Sequence, residues 1–140
     1  MKKFLVASHG KMASGIQNSV DILTGMGNQI EVIDAYIDEV DYTIKIQQFI
    51  ETLHVEDTAI IFTDLYGGSV NQKVMVAVAA HPSQNIHVIT GMNLAVILSV
   101  VLEAGEITTE RLQELIDESQ VKLVLTESLV AEESEDNFFD

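Results

Sequence analysis

Short apolar runs rich in β-branched residues alternate along the chain with segments whose apolar positions recur every three or four residues. That alternation is the pattern of a parallel α/β sheet with crossover helices. The first run, Lys3 to Ser8, ends at a polar Ser8-His9-Gly10. Met12, Ile16, Val20 and Leu23 then fall at helical spacing, and Gly25 and Gly27 close the segment. A second strand is predicted over Gln29–Tyr36, and Asp41 stands where it can cap a helix with Tyr42, Ile46, Phe49, Ile50 and Leu53 on its inner face. Thr58–Thr63 reads as a strand buried on both faces. It runs into Asp64-Leu65-Tyr66-Gly67-Gly68-Ser69 and a helix carrying Val70, Val74 and Val78, which stops by His81-Pro82 because proline cannot continue it.

Asn85–Thr90 forms a fourth strand, and Gly91-Met92-Asn93 turns the chain into a helix over Leu94–Leu102. That helix is apolar all round and is expected in the core or in a subunit contact. Thr108 caps the next helix, whose apolar face is Leu112, Leu115 and Ile116, with Ile107 and Leu112 placed as a hydrophobic staple. Lys122–Leu125 is compatible with a fifth, shorter strand. Glu132–Asp140 reads as an acidic, frayed end, in which Phe138 and Phe139 suggest a docking contact less well than a disordered end.

At 140 residues and 47% apolar, the chain suits one domain with a proper core, set here at residues 1–126 and followed by an acidic tail over 127–140. There is no cysteine, so neither a disulfide framework nor a thiolate zinc site is available, and no two histidines share a ligand spacing. No metal and no cofactor are expected. The net charge of −15, from 22 acidic against seven basic residues, argues against nucleic-acid binding. It permits a basic protein partner, although solubility alone is the plainer reading of such a charge. The Leu94–Leu102 run is far short of the ~20 residues that span a bilayer, and the N-terminal apolar run of about four residues is too short for a signal-peptide core. A cytoplasmic protein with no membrane insertion is the expectation.

Three turns share one design, a strand followed by a Gly-containing polar turn and a helix: Ser8-His9-Gly10, Asp64 through Ser69, and Thr90-Gly91-Met92-Asn93. In a parallel sheet all three lie at the carboxyl edge, where ligands bind at the point of strand-order reversal. A flavodoxin-like order of 2-1-3-4 makes strands one and three neighbours, so His9 and Asp64 come together there. A neutral imidazole is a competent nucleophile towards phosphorus once a hydrogen bond fixes its tautomer. Asp64 is placed as that acceptor and as the counter-charge to a cationic ring. Helix N-termini after both turns offer N–H groups to phosphoryl oxygens, Gly67 and Gly68 allow close backbone approach, and Ser69 adds a hydroxyl.

Taken singly, each feature has a plainer reading. A lone histidine after a strand is usually a turn residue, Gly-Gly-Ser is a common loop, and Asp64 serves equally as a cap. The arrangement of all three at one edge raises the functional reading. His54, His81 and His87 read as structural, and Lys11 as a solvated lysine.

These residues resemble a known family. Ser8-His9-Gly10 with Ala13 is similar to the active-site turn of enzyme IIA components of mannose-type phosphoenolpyruvate-dependent sugar phosphotransferase systems. Asp64-Leu65-Tyr66-Gly67-Gly68-Ser69 resembles the family's Asp-x-x-Gly-Gly-Ser motif, and Gly91-Met92-Asn93 its Gly-Val-Asn turn. The resemblance covers about residues 1–126. It implies that His9 accepts a phosphoryl group on Nε2 from the phosphohistidine of HPr and passes it to an enzyme IIB associated with membrane IIC and IID components. Asp64 would orient His9, and Ser69, with Gly10, Gly67 and Gly68, would surround the phosphate. It also implies a four-stranded parallel sheet whose fifth, antiparallel strand is exchanged across a homodimer, a role that Lys122–Leu125 fits.

Val70 and Ala95 stand where the family often has proline, in first helical turns where proline preorganises and does not react. With no IIB sequence in the chain, IIB is expected on a separate polypeptide. The rivals are the phosphohistidine subunit of a dihydroxyacetone kinase system, a receiver-type signalling module and a non-catalytic binding module of flavodoxin-like fold. Gly10 and Gly67-Gly68 count against the first. A receiver needs acidic residues where Ser8-His9 stand, and neither a P-loop nor G-x-G-x-x-G is present for the last. The sugar is not legible in any of these residues.

Overall fold

The computed structural model describes residues 1–127. Four parallel strands, β1 (Lys2–His9), β2 (Ile30–Ala35), β3 (Thr58–Thr63) and β4 (Asn85–Ile89), form one open sheet in the order β2-β1-β3-β4. Five helices are interleaved: α1 (Met12–Thr24), α2 (Thr43–Glu51), α3 (Ser69–Ala79), α4 (Leu94–Val101) and α5 (Thr109–Glu118). The α/β class and the 2-1-3-4 order expected from the sequence are those observed.

The central strands are apolar on both faces because each face is covered by helices. Phe4 and Val6 of β1, with Ile60 and Phe62 of β3, pack against the inner residues of α1, α4 and α5. Leu5, Ala7, Ala59 and Ile61 face the opposite way, onto α2 and α3. The period of two along each strand therefore divides the core into two layers.

Local chemistry sets the helix ends. Asp41 Oδ1 accepts from the Thr43 amide at 3.0 Å and the Thr43 hydroxyl at 2.6 Å, and Thr108 Oγ1 accepts from the Arg111 amide at 3.1 Å. Asn93 Oδ1 caps α4 through the Val96 amide at 2.8 Å, while its Nδ2 donates to the Ser119 carbonyl at 2.7 Å.

Three segments are more exposed in the single chain than their sequence pattern alone suggests. The buried face of α1 is Ala13, Ile16 and Val20; Met12 and Leu23 point to solvent, because the helix packs through its small Ala13 with β2 beside it. Helix α4 buries Val96, Ile97, Val100 and Val101, but Ala95 and Leu102 are exposed, since the helix lies on one face of the sheet and is covered there alone. Lys122–Leu125 makes no strand with this chain's sheet; Leu123 is 87% and Leu125 61% exposed. A strand needs a ladder partner for its N–H and C=O groups, and within the described chain this segment has none. The end over 128–140, with Phe138 and Phe139, lies outside the described residues.

Candidate active site

The register of the sheet brings the site together. His9 is the last residue of β1 and lies opposite Ala35 of β2, while Ala7 lies opposite Thr63, the last residue of β3. Asp64, one step beyond β3, therefore reaches the end of β1. Its Oδ2 accepts both the backbone N–H of His9 and ring Nδ1–H at 2.7 Å, and its Oδ1 accepts the Leu65 amide at 2.9 Å. The Asp64 side chain is 8% exposed whereas that of His9 is 41% exposed. Burial of Asp64 opposes its ionisation, but the hydrogen bonds from His9 and Leu65 outweigh that and hold the carboxyl below its ordinary value.

An ionised carboxylate accepts hydrogen bonds and donates none. The proton between His9 and Asp64 therefore sits on Nδ1, and in the neutral ring Nε2 keeps its lone pair. Nε2 faces Ser69 Oγ at 3.2 Å. Ser69 opens α3, and no side chain caps that helix. Ser69 thus brings the positive dipole end of α3 to the side of the ring that carries Nε2.

The two helix N-termini are not equivalent, contrary to the expectation that both offer free amides. At α1 the Ala13 amide already donates to Ser8 Oγ at 2.8 Å and the Ser14 amide to Asp34 Oδ1 at 3.0 Å. The three site glycines also have engaged amides: Gly10 donates to the Ala35 carbonyl, Gly67 to Asn71 Oδ1 and Gly68 to the Leu65 carbonyl. Their part is shape. Gly67 adopts φ +74°, and a Cβ on Gly68 would stand 3.2 Å from Leu65 Cβ and 3.7 Å from His9 Cε1. Asn71, buried, bridges the turn to β3 by donating to Thr63 Oγ1 at 3.0 Å.

Two tyrosines that the sequence reading left out complete the site. Tyr36 stacks on His9 with ring centroids 5.4 Å apart and planes at 25°, and its hydroxyl lies 2.8 Å from Ser69 Oγ. Tyr42 lies edge-on to Tyr36, its hydroxyl 3.2 Å away. Hydrogen bonding with Ser69 and with Tyr42 holds the Tyr36 phenol below its ordinary value, while burial pushes Tyr42 up to about 12. Tyr36 follows β2 directly, at the same carboxyl edge as His9, a position that by itself does not mark a tyrosine as part of a site.

The third turn, Gly91-Met92-Asn93, makes no hydrogen bond to His9, Asp64 or Ser69; its Met92 amide donates to the Thr63 carbonyl at 3.2 Å. His81 Nδ1 donates to the Ala77 carbonyl at 2.9 Å near the end of α3, and burial lowers the pKa of His87 on β4. Lys11 is exposed. None of these histidines bonds to a residue of the His9 site among the described residues.

The geometry can be set beside known proteins. Residues 3–120 match the family model of the fructose IIA component of the phosphotransferase system. The chain belongs to this family. A crystal structure of a protein from Klebsiella pneumoniae, assigned to a phosphoenolpyruvate-dependent sugar phosphotransferase system permease, is 31% identical, with a TM-score of 0.72 over 83% of this chain and 84% of that one. The phosphotransferase component EIIA of Streptococcus agalactiae shares the fold at a TM-score of 0.76 and 21% identity, over 91% of this chain and 99% of that one. The mannose/sorbose-specific IIA subunit of Enterococcus faecalis does so at 0.66 and 22%, over 89% and 97%. As an IIA component, the chain is a phosphoryl carrier of a sugar phosphotransferase system. No helix among its described residues is long and apolar enough to cross a membrane.

Proposed function

We propose that His9 carries the phosphoryl group on Nε2, taking it from the phosphohistidine of HPr and giving it to an enzyme IIB. The observation that carries this reading is the single oxygen of Asp64 held by both the backbone N–H and Nδ1 of His9 at 2.7 Å. It supports one tautomer of the neutral ring, protonated at Nδ1, and sets the ring's direction, with Nε2 turned to Ser69 at the start of α3.

The Nε2 lone pair attacks phosphorus in line. As the new N–P bond forms, the N–P bond to the donor ring breaks and its electron pair returns to the donor nitrogen. No proton leaves His9, since Nδ1 keeps its hydrogen and the growing ring charge is balanced by Asp64. The phosphoryl oxygens meet the first amides of α3 and the Ser69 hydroxyl, with Gly10, Gly67 and Gly68 leaving room. Return transfer to IIB is the same displacement with His9 as leaving group. A histidine 41% exposed suits a site that must enter another protein's active centre.

The test is incubation with phosphoenolpyruvate, enzyme I and HPr. Wild type should acquire an acid-labile, alkali-stable phosphate and His9→Ala none; equal labelling of the two overturns the reading.

We also propose that residues 1–126 form the carrier domain and act as a homodimer, with Lys122–Leu125 pairing on a partner's sheet. Support comes from the outer edge of β4, unpaired among the described residues, and the exposure of Val121 (90%) beside Leu123 and Leu125. Light scattering at micromolar concentration should give twice the 15.4 kDa chain mass; a monomer contradicts the pairing.

A further inference from the structure

Tyr36 has φ +66°, while the four other positive-φ residues described, Gly10, Gly25, Gly67 and Gly91, are all glycines. The left-handed region disfavours any residue with a Cβ, and such outliers persist where surrounding contacts over-determine them. Here the contacts are identifiable. The Tyr36 ring lies along one face of the His9 imidazole, and its hydroxyl reaches Ser69 Oγ at 2.8 Å.

The hydrogen-bond directions follow for the neutral, nucleophilic form of the ring. With Asp64 ionised, the single proton of that form is on Nδ1 and Nε2 accepts. Ser69 has one hydroxyl hydrogen and must give it to Nε2, so its oxygen accepts from Tyr36. The Tyr36 hydrogen is then engaged, and its oxygen accepts from Tyr42 at 3.2 Å. Lys73 Nζ, 4.9 Å from the Tyr42 ring centroid, closes the line. Hydroxyl dipoles aligned this way reinforce one another.

Resting on the assignment of His9 as phosphoryl carrier, we propose that Tyr36 is a positioning residue for transfer. Its ring walls one face of His9, and its hydroxyl holds Ser69 Oγ so that the Ser69 hydrogen passes from Nε2 to a phosphoryl oxygen as the N–P bond forms. Once phosphorus occupies the Nε2 lone pair, Ser69 has no acceptor there and turns to the nearest phosphoryl oxygen. Tyr36 keeps donating to Ser69 Oγ throughout, so only one hydroxyl rotates. The cationic ring so formed meets the aromatic face of Tyr36, an arrangement that favours it further.

The test is Tyr36→Phe, which keeps the ring and removes the hydroxyl, compared with wild type in both the natural and the Ser69→Ala background. Transfer from phospho-HPr should slow on the order of fivefold to tenfold in the natural background, as for loss of one ordinary hydrogen bond. It should slow no further in Ser69→Ala, because Tyr36 acts through Ser69. In the unphosphorylated protein, Tyr36→Phe should move the ¹⁵N resonance of His9 Nε2 towards that of a ring nitrogen without a hydrogen-bond donor, leaving Nδ1 in place. An unchanged rate, an unmoved Nε2 resonance, or equal slowing in both backgrounds overturns the proposal. The ring spectrum is read without any phosphoryl transfer. Failure of His9 to label in wild type would thus count against the carrier assignment and leave the hydroxyl chain separately tested.

Discussion

Asp64 Oδ2 holds the backbone and the ring of His9 at once, and the two tasks separate on substitution. In Asp64→Asn an amide oxygen can still accept these bonds, so the fold should survive, but the negative charge that balances a phosphorylated ring is lost. Transfer should fall about a hundredfold or more, by analogy with other imidazoles deprived of their carboxylate; single-turnover kinetics with phospho-HPr checks this. The acid limb of stability carries a second signature. A carboxyl whose folded pKa is below its ordinary 3.8 stabilises the fold fully above about pH 4, and that stabilisation is lost as pH falls through the folded value. Urea titrations below pH 4 should therefore show a shallower loss of stability on acidification in Asp64→Asn than in wild type. His9 and Asp64 were legible because each ends a strand at the point where strand order reverses. Tyr36 was not, because a tyrosine ending a strand is ordinary in sequence and only its left-handed backbone and its place over the ring distinguish it.

At the scale of elements, the helix that follows Asp64 differs from the helix that follows His9. The periodicity located both, but periodicity says nothing about which amides are already engaged. Ser8 and Asp34 close α1 from two different strands, a contact between Ser14 and Asp34 that depends on β2 lying beside β1. Helix α3 is left open by its own turn, which Gly67 makes possible at φ +74°. Gly67→Ala should cost roughly 1–2 kcal/mol of stability, the penalty of a Cβ in the left-handed region, measurable by chemical denaturation. It should also slow phosphorylation, since the strain is relieved most readily by moving Ser69. The fate of α4 has a similar lesson. A helix apolar on every side suggests full enclosure, yet in the single chain Ala95 and Leu102 are exposed, because the helix is covered only where it lies on the sheet.

For the whole molecule, the two-layer core was readable from the continuous apolar run of β3, which implied burial on both faces, and Phe62 is its largest fully buried side chain. Phe62→Ala should destabilise the fold by about 3–5 kcal/mol without touching the site, a separation of stability from transfer chemistry that denaturation and labelling together would show. The strand-order rule gave the position of the site but not the fate of Lys122–Leu125, since a segment that needs a partner strand is undetermined by the chain alone. At the carboxyl edge of its sheet the molecule presents the exposed imidazole of His9, backed by the buried Asp64 carboxylate and the start of α3.

Nuclear magnetic resonance of the phosphorylated protein reads directly which ring nitrogen carries phosphorus. With ¹⁵N-labelled histidine and phosphate supplied through phospho-HPr, the account predicts phosphorus coupled to Nε2 of His9, with Nδ1 still protonated and bonded to Asp64. Phosphorus on Nδ1 of His9, or on another residue, would contradict it.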